Sequence, residues 1–549
     1  MRLIGLFLLF SNLSFLVRCQ ENNPILCVKQ GACYMGSWLM TEEENRYAAF
    51  QGIKYAEDPI GELRFKPPRP FIAGEAVWDV STNPKIACSQ TLNGFAFGQE
   101  DCLILNVYVP ESAINKQESL PVMFWIHGGG LKTGGSSMER YGPQMYMDRE
   151  VVLVTINYRL GIFGFLSMGD EIVPGNAGFR DQNLALRWVN ENIESFFGNS
   201  EKVTIFGESA GGESVSYHII SPMSRGLFRR AIMQSGTALD SWARPRSPRL
   251  LEMQNAQVFE QLGCLTEDTL VCLQGKSSEE LLVVNKIATF AVIDETYTTD
   301  AFIPAGADEL FANGDFDNEL EVIIGTNKED GMLMIFEQLL DPSKWQDVLD
   351  NIDVIGPSSL FSIPFESLIT EEDIANSRKV IEFYVNSVEN LNEEHTQQIF
   401  EMFTDATFLY GTYKTIKYLL EYNVPTYQYI LTFSGQYSYS ELYGIEKQGV
   451  CHADDIFYLF NPSFGLYGNY TLTDQDSIDL REEMTSAWTN FAKYGDPTPP
   501  SSGNNWMSWT PVKMASPSSF WNISGIISSI SDDSRTAERM RFWDSLNLS

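Results

Sequence analysis

Six apolar stretches, rich in β-branched and aromatic residues, punctuate the chain: Val122 to Ile126, Val151 to Tyr158, Val203 to Phe206, Ala231 to Gln234, Val322 to Ile324 and Tyr427 to Phe433. Unbroken apolar runs of this length predict strands buried on both faces. Between them the spacing changes: over Asp181 to Phe196, the residues Leu184, Trp188 and Ile193 fall near one face of a helix. Strands alternating with helices predict an α/β fold with a large, mostly parallel central sheet flanked by helices. The interval from Met332 to about Val424 holds more helix formers and acids than strand formers. It reads as a helical insertion, roughly 332–424, above the sheet rather than a separately folding unit.

The apolar stretch at the start has another character. MRLIGLFLLFSNLSFLVRCQ begins with one arginine, continues from Leu3 to Phe10 and on to Val17, and ends near Cys19. This is the pattern of a secretory signal peptide, 1–19, leaving a single domain at 20–549. No later segment offers about 18 unbroken apolar residues, so no membrane span is expected. MRFWDSLNLS at the C-terminal end is neither a lipid-anchor tail nor a retention tetrapeptide. A secreted, extracellular protein is the expectation, with Asn469, Asn522 and Asn547 as glycan acceptors in N-x-S/T motifs.

Composition narrows the chemistry. Hydrophobic residues make up 44% of the 549-residue chain, ample for a large core, and the formal charge of −34 excludes nucleic acid as a partner. Of eight cysteines, Cys19 leaves with the signal peptide. In an oxidising compartment proximity pairs Cys88 with Cys102, Cys264 with Cys272 and Cys27 with Cys33, leaving Cys451 odd. There is no metal-ligand spacing and no HExxH among the four histidines, so neither metal nor cofactor is expected.

Gly207-Glu208-Ser209-Ala210-Gly211 satisfies G-x-S-x-G between the strand ending at Phe206 and a helix predicted from Ser209 to about Ile220. In that context the tight turn holds the serine in a strained conformation and pushes its hydroxyl clear of the sheet. A serine becomes nucleophilic when a histidine, oriented by a carboxylate, takes its proton. Each of the four histidines can be tried in turn. His218 lies nine residues along the same helix, turned by about 900° and some 13 Å away. His127 opens a glycine turn, and His395 sits in a polar helical surface, NEEHTQQ. His452, in Gly449-Val450-Cys451-His452-Ala453-Asp454-Asp455, remains. Chain order requires a carboxylate between Ser209 and His452 at a strand end. Glu329 and Asp330 both follow the strand EVIIGTN, and Asp330, directly before Gly331, is preferred. Gly128 to Gly130 follow another strand and offer backbone amides, with that of Ala210, for the charge that develops on a carbonyl oxygen.

These residues lie in motifs that resemble the type-B carboxylesterases, the cholinesterase-like branch of the α/β-hydrolases. The resemblance runs through AFQGIKYAEDPIGELRFKPPRP at 49–70, EDCLILNVYVP at 100–110, WIHGGG at 125–130, INYRLGIFGFLS at 156–167, GNAGFRDQNLALRWVNENI at 175–193, VTIFGESAGGESV at 203–215, FRRAIMQSG at 228–236, GVCHADDIFYLF at 449–460 and WTNFAKYGDP at 488–497. It implies hydrolysis of a small-molecule carboxylic ester through an acyl-enzyme at Ser209, with His452 as general base and acid and Asp330 as third member, where much of the family carries glutamate. Gly129, Gly130 and Ala210 match its oxyanion donors, Cys88–Cys102 and Cys264–Cys272 its two usual disulfides, and Arg64 with Glu100 a structural ion pair. Cys451 stands where proline is common. The segment 89–101 holds Phe95 and Phe97 but no tryptophan, which counts against a choline ester. Arg64-Phe65, Asp181-Gln182 and the GxxHxxD pattern ending at Asp455 are shared with insect juvenile hormone esterases, whereas Glu208 departs from their usual GQSAG. A catalytically silent adhesion or binding protein is the other class this fold has produced, and the filled triad positions speak against it.

Overall fold

The computed structural model describes residues 23–92, 94–284, 291–460, 470–500, 508–525, 529–546 and 548. Its centre is an eleven-stranded sheet. In spatial order the strands are Ser529–Asp532, Ser519–Ile523, Thr426–Leu431, Glu321–Asn327, Arg230–Gln234, Gly198–Glu208, Leu120–Ile126, Val152–Ile156, Ile104–Pro110, Arg46–Lys54 and Ser37–Met40. From Ser519–Ile523 through to Val152–Ile156 every neighbour is parallel. The remaining pairs, at both edges, are antiparallel. Each of the six apolar stretches lies in the parallel part, where both faces are covered.

The antiparallel strands were hidden by their polar residues. Ile104–Pro110 is buried throughout, yet it contains Asn106. That side chain donates to Ser136 O at 3.0 Å and Thr155 Oγ1 at 3.0 Å, and accepts from Gly52 N at 3.0 Å, so its burial leaves nothing unpaired. The expected strand to Tyr158 stops at Ile156, because Asn157 turns its side chain to accept from Ser136 N at 2.8 Å. The predicted helix over 181–196 begins earlier, at Ala177, and ends at Asn192 in a tighter turn, Ile193–Phe196.

Side chains on successive strand residues face opposite ways, and the core divides accordingly. Phe124, Ile126, Val154, Ile205 and Val322 pack with Leu186 and Val189 of the helix Ala177–Asn192. Met123, Trp125, Phe206 and Ile323 pack on the other face with Trp488 and Phe491 of the helix Gln475–Tyr494. Full burial of each such side chain contributes about 1.5–3 kcal/mol. Between Glu321–Asn327 and Thr426–Leu431 the chain is helical, including Glu371–Val385, Thr396–Thr404 and Tyr410–Glu421. Tyr384, Phe400 and Phe403 of this region form one cluster with Ile430 and Phe520 of the sheet and Trp543 of the last helix, Ser534–Ser545.

Cys27–Cys33, Cys88–Cys102 and Cys264–Cys272 are bonded, and Cys451 is free and buried. Arg64 Nε and Nη2 grip the Glu100 carboxylate at 2.7 and 2.6 Å. Among the described residues, no helix is long and apolar enough to cross a membrane. The signal peptide, Asn469 and Asn547 lie outside the described residues. Asn522 is half-buried in the strand Ser519–Ile523, and its side-chain oxygen accepts from Thr432 Oγ1 at 2.6 Å.

Arg159 and Asp181 tie the helix Ala177–Asn192 to the loop that follows the strand Val152–Ile156, with hydrogen bonds of 2.8 and 2.7 Å in a buried pair. Asp181→Ala leaves the guanidinium buried without its counter-charge. The expected cost is about 3–5 kcal/mol of stability, read as a lowered urea midpoint; an unchanged midpoint contradicts this account.

Candidate active site

Four loops meet at the C-terminal ends of the parallel strands. The strand Gly198–Glu208 passes through Ser209 directly into the helix Ala210–Ile220. Ser209 has φ 59° and ψ −126°, a combination that a side-chain-bearing residue adopts only under constraint. Glycines impose it. A Cβ at 211 would lie 2.1 Å from Ile126 O, one at 207 would lie 2.6 Å from the Gly211 backbone, and one at 236 would lie 2.1 Å from Ser209 O. Only backbone without side chains fits so close, and the turn is fastened by Ser209 N donating to Gln234 O at 2.8 Å.

The glycine turn after Leu120–Ile126 lies against this one. A Cβ on Gly128 would come within 2.5 Å of Glu208 O and 3.0 Å of Ser209 Cβ. Gly129 and Gly130, at φ 108° and 61°, follow it and are exposed. Among the described residues the amides of Gly129, Gly130 and Ala210 donate to no acceptor, which leaves them available to a ligand.

His452 approaches from the other side. Its Nδ1 is 3.0 Å from Asp330 Oδ1, and Asp330 Oδ2 accepts from Asn327 N at 2.8 Å. Glu329 is occupied otherwise, its Oε2 accepting from Val450 N at 2.8 Å and its Oε1 facing Lys328 Nζ at 2.8 Å. The loop carrying His452 is also held by Asn327 Nδ2, which donates to Cys451 O at 2.8 Å, and by Asp454, which accepts from Cys451 N at 2.8 Å. Phe408 stacks on the imidazole at a centroid distance of 4.7 Å.

The structure brings Asp330 and His452 together, while Ser209 Oγ and His452 Nε2 form no hydrogen bond. Nε2 instead lies 3.1 Å from Glu208 Oε1, an electrostatic contact outside hydrogen-bond alignment. Glu208, Asn327 and Phe408 escaped the sequence reading of the site. Glu208 had left one signal: it is the variable residue beside Ser209, and a charged side chain there must be buried with its neighbours. The other histidines take no part. His218 is buried between Ser224 Oγ and Gln182 Oε1, and His127 packs on Tyr158; burial pushes both down to about 3. His395 ends the short turn Glu393–His395, its Nδ1 3.1 Å from Asn392 Oδ1.

The acids around His452 set its protonation. Burial pushes Glu208 up to about 8, and Asp455 and Asp330 add to the rise while His452 opposes it. Burial works against a charged His452, but Glu208 and then Asp330 outweigh it and lift the imidazole to about 9. Both shifts have one physical content: the buried Glu208–His452 pair retains a proton at neutral pH. Burial likewise raises Asp455 to about 6, although Gln234 donates to it at 2.6 Å. Among the described residues, no cluster of histidine, cysteine or carboxylate side chains could hold a metal ion.

With this geometry in view, the sequence matches the profile of the Carboxylesterase family over residues 22–543. It is 35% identical over 512 residues to the juvenile hormone esterase of Tribolium castaneum, covering 87% of this chain and 84% of the relative. It is 34% identical over 489 residues to venom carboxylesterase-6 of Apis mellifera, covering 84% of each. The crystal structure of juvenile hormone esterase from Manduca sexta, with OTFP covalently attached, superposes with a TM-score of 0.82 at 26% identity, covering 95% of this chain and 99% of that one.

Glu208→Gln removes the negative charge that favours the imidazolium, so the His452 titration should fall toward the ordinary histidine value of about 6.5. Imidazole NMR can follow it, since His127 and His218 stay neutral across the range. A His452 titration unmoved by the substitution contradicts the pairing.

Proposed function

Since the chain belongs to the carboxylesterase family and is a carboxylic ester hydrolase, we propose that it is a secreted serine esterase acting through an acyl-enzyme on Ser209. His452 is its general base and acid, Asp330 the carboxylate behind the base, and the amides of Gly129, Gly130 and Ala210 its oxyanion donors. One observation carries this reading: the imidazole bonded to Asp330 places its Nε2 3.1 Å from Glu208, the residue adjoining Ser209, in a turn that packs against Gly128.

The chemistry follows from the parts. His452 Nε2 takes the Ser209 proton as Oγ attacks the ester carbonyl, and the charge passing to the carbonyl oxygen is met by fixed N–H donors. Collapse of the tetrahedral adduct expels the alcohol, which receives that proton. Water, deprotonated by the same imidazole, then attacks the acyl-serine, and the imidazole returns that proton to Ser209 Oγ as the acid leaves. Asp330 keeps the proton on Nδ1, so that Nε2 is the basic nitrogen. Before attack, Nε2 exchanges its contact with Glu208 for Ser209 Oγ; alignments of this kind tighten when substrate binds. The disulfides, which persist in oxidising compartments, support secretion, as does the signal-like start of the chain.

Ser209→Ala should lower kcat for p-nitrophenyl butyrate by on the order of 10⁴- to 10⁶-fold and abolish labelling by an organophosphonate, with the melting temperature retained. A correctly folded natural protein that takes no label removes the serine-esterase reading. Asp330→Asn should cost about 10⁴-fold in kcat by imposing the wrong tautomer. Glu329→Gln keeps an acceptor for Val450 N and should cost far less; the reverse order would move the third member to Glu329. In the natural enzyme kcat/KM should fall as the medium becomes acid, because an imidazolium accepts no proton. That acid limb should lie above pH 6.5, the ordinary histidine value of about 6.5 being raised by Glu208 and Asp330.

A further inference from the structure

Gln90 lies in the loop closed by Cys88–Cys102, outside the triad and the glycine turn, and is completely buried. Its amide grips both backbone groups of one residue: Oε1 accepts from Gly134 N at 2.8 Å and Nε2 donates to Gly134 O at 2.7 Å. The second Nε2 hydrogen serves Cys88 O at 2.9 Å. A primary amide is the neutral group that offers an acceptor and two donors together, so the three partners specify glutamine chemically.

Gly134 is the far end of the glycine turn. Its φ is 126°, and a Cβ on it would lie 2.2 Å from His127 Nδ1 and 2.7 Å from Gly128 O. His127 Nδ1 in turn is 2.8 Å from Gly128 O. Within the turn, Lys132 N and Thr133 N both donate to Gly129 O at 3.0 Å. Displacing Gly134 therefore displaces the stretch that aims the Gly129 and Gly130 amides. A second strut runs from the same platform, Asn157 Nδ2 donating to Cys102 O at 3.2 Å while its Oδ1 accepts from Ser136 N. The Gln90 strut differs in holding donor and acceptor of a single residue, which fixes the tilt of its peptide groups as well as their place.

We infer that Gln90 is a positioning residue for the oxyanion donors, the disulfide-closed loop serving as the platform that aligns Gly129 and Gly130. The inference rests on the serine-esterase reading above. Donors held at the site of developing charge act in the transition state and leave substrate binding nearly unchanged. A misaimed turn therefore shows in kcat.

The test uses Gln90→Ala and Gln90→Glu in the full-length protein, with active sites titrated by the organophosphonate so that kcat is counted per competent site. Gln90→Glu matches the glutamine in volume and keeps an acceptor, but when ionised it donates to neither Gly134 O nor Cys88 O. Both variants should lose about 10- to 100-fold in kcat for p-nitrophenyl butyrate, with KM changed less than about threefold. Affinity for a trifluoromethyl ketone, whose tetrahedral adduct carries the oxyanion, should fall by the same factor as kcat/KM. Wild-type kcat per site in either folded variant overturns the inference. So does a change confined to KM, or unaltered ketone affinity. Failure of both variants to fold also counts against it, because it assigns Gln90 to the site rather than to the scaffold. The natural enzyme and Ser209→Ala separate the two levels: a Ser209-dependent esterase indifferent to Gln90 sinks this inference alone.

Discussion

The backbone at Ser209 is held where an L-residue does not go willingly, and the surrounding architecture serves that compulsion. The strand before it and the helix after it are fixed by core packing on both faces of the sheet. Glycines at 207, 211 and 236 admit backbone at distances that a methyl group would forbid. The strain, of order 1–3 kcal/mol for such a conformation, is small beside the burial that imposes it. What it achieves is a side chain presented outward from the point where strand, helix and glycine turn come together.

Electrostatics supplies the second layer. His452 is bracketed by Asp330 on Nδ1 and Glu208 near Nε2, with Asp455 adding to the same field. Desolvation and negative neighbours oppose each other on the imidazole and reinforce each other on Glu208. A lone proton can satisfy the pair, and where it sits decides whether the histidine is an acid or a base. The division of labour between adjacent acids is equally physical. Asp330 reaches the ring, and Glu329 is spent on the backbone of the loop that delivers the ring.

Much of this was legible in the residues. The parallel strands announce themselves because burial on both faces demands unbroken apolar runs, and the serine turn because its glycines are sterically obligatory. Among the four histidines, reach and chain order single out His452. The antiparallel strand Ile104–Pro110 was not legible as a strand, since Asn106 breaks its run and is satisfied by partners distant in sequence. Glu208, Asn327 and Phe408 were missed for a related reason. Their importance lies in what they touch, and no local pattern encodes a contact made across the fold. Gln90 is the extreme case: a glutamine in a short disulfide loop, meaningful only once Gly134 is found in its grip.

The order of the sheet also governs how the protein comes into being. Val322 pairs with Thr426 across an entire helical region, and Gly207 with Ile126 across two connections and the strand between them. Such non-local pairings pay their loop-closure entropy before any contact rewards them, which slows folding and favours partly collapsed intermediates. Those intermediates carry the serine, the histidine and the glycines but not their juxtaposition. Hydrolytic competence therefore requires the closed topology, and a chain short of it stays chemically inert.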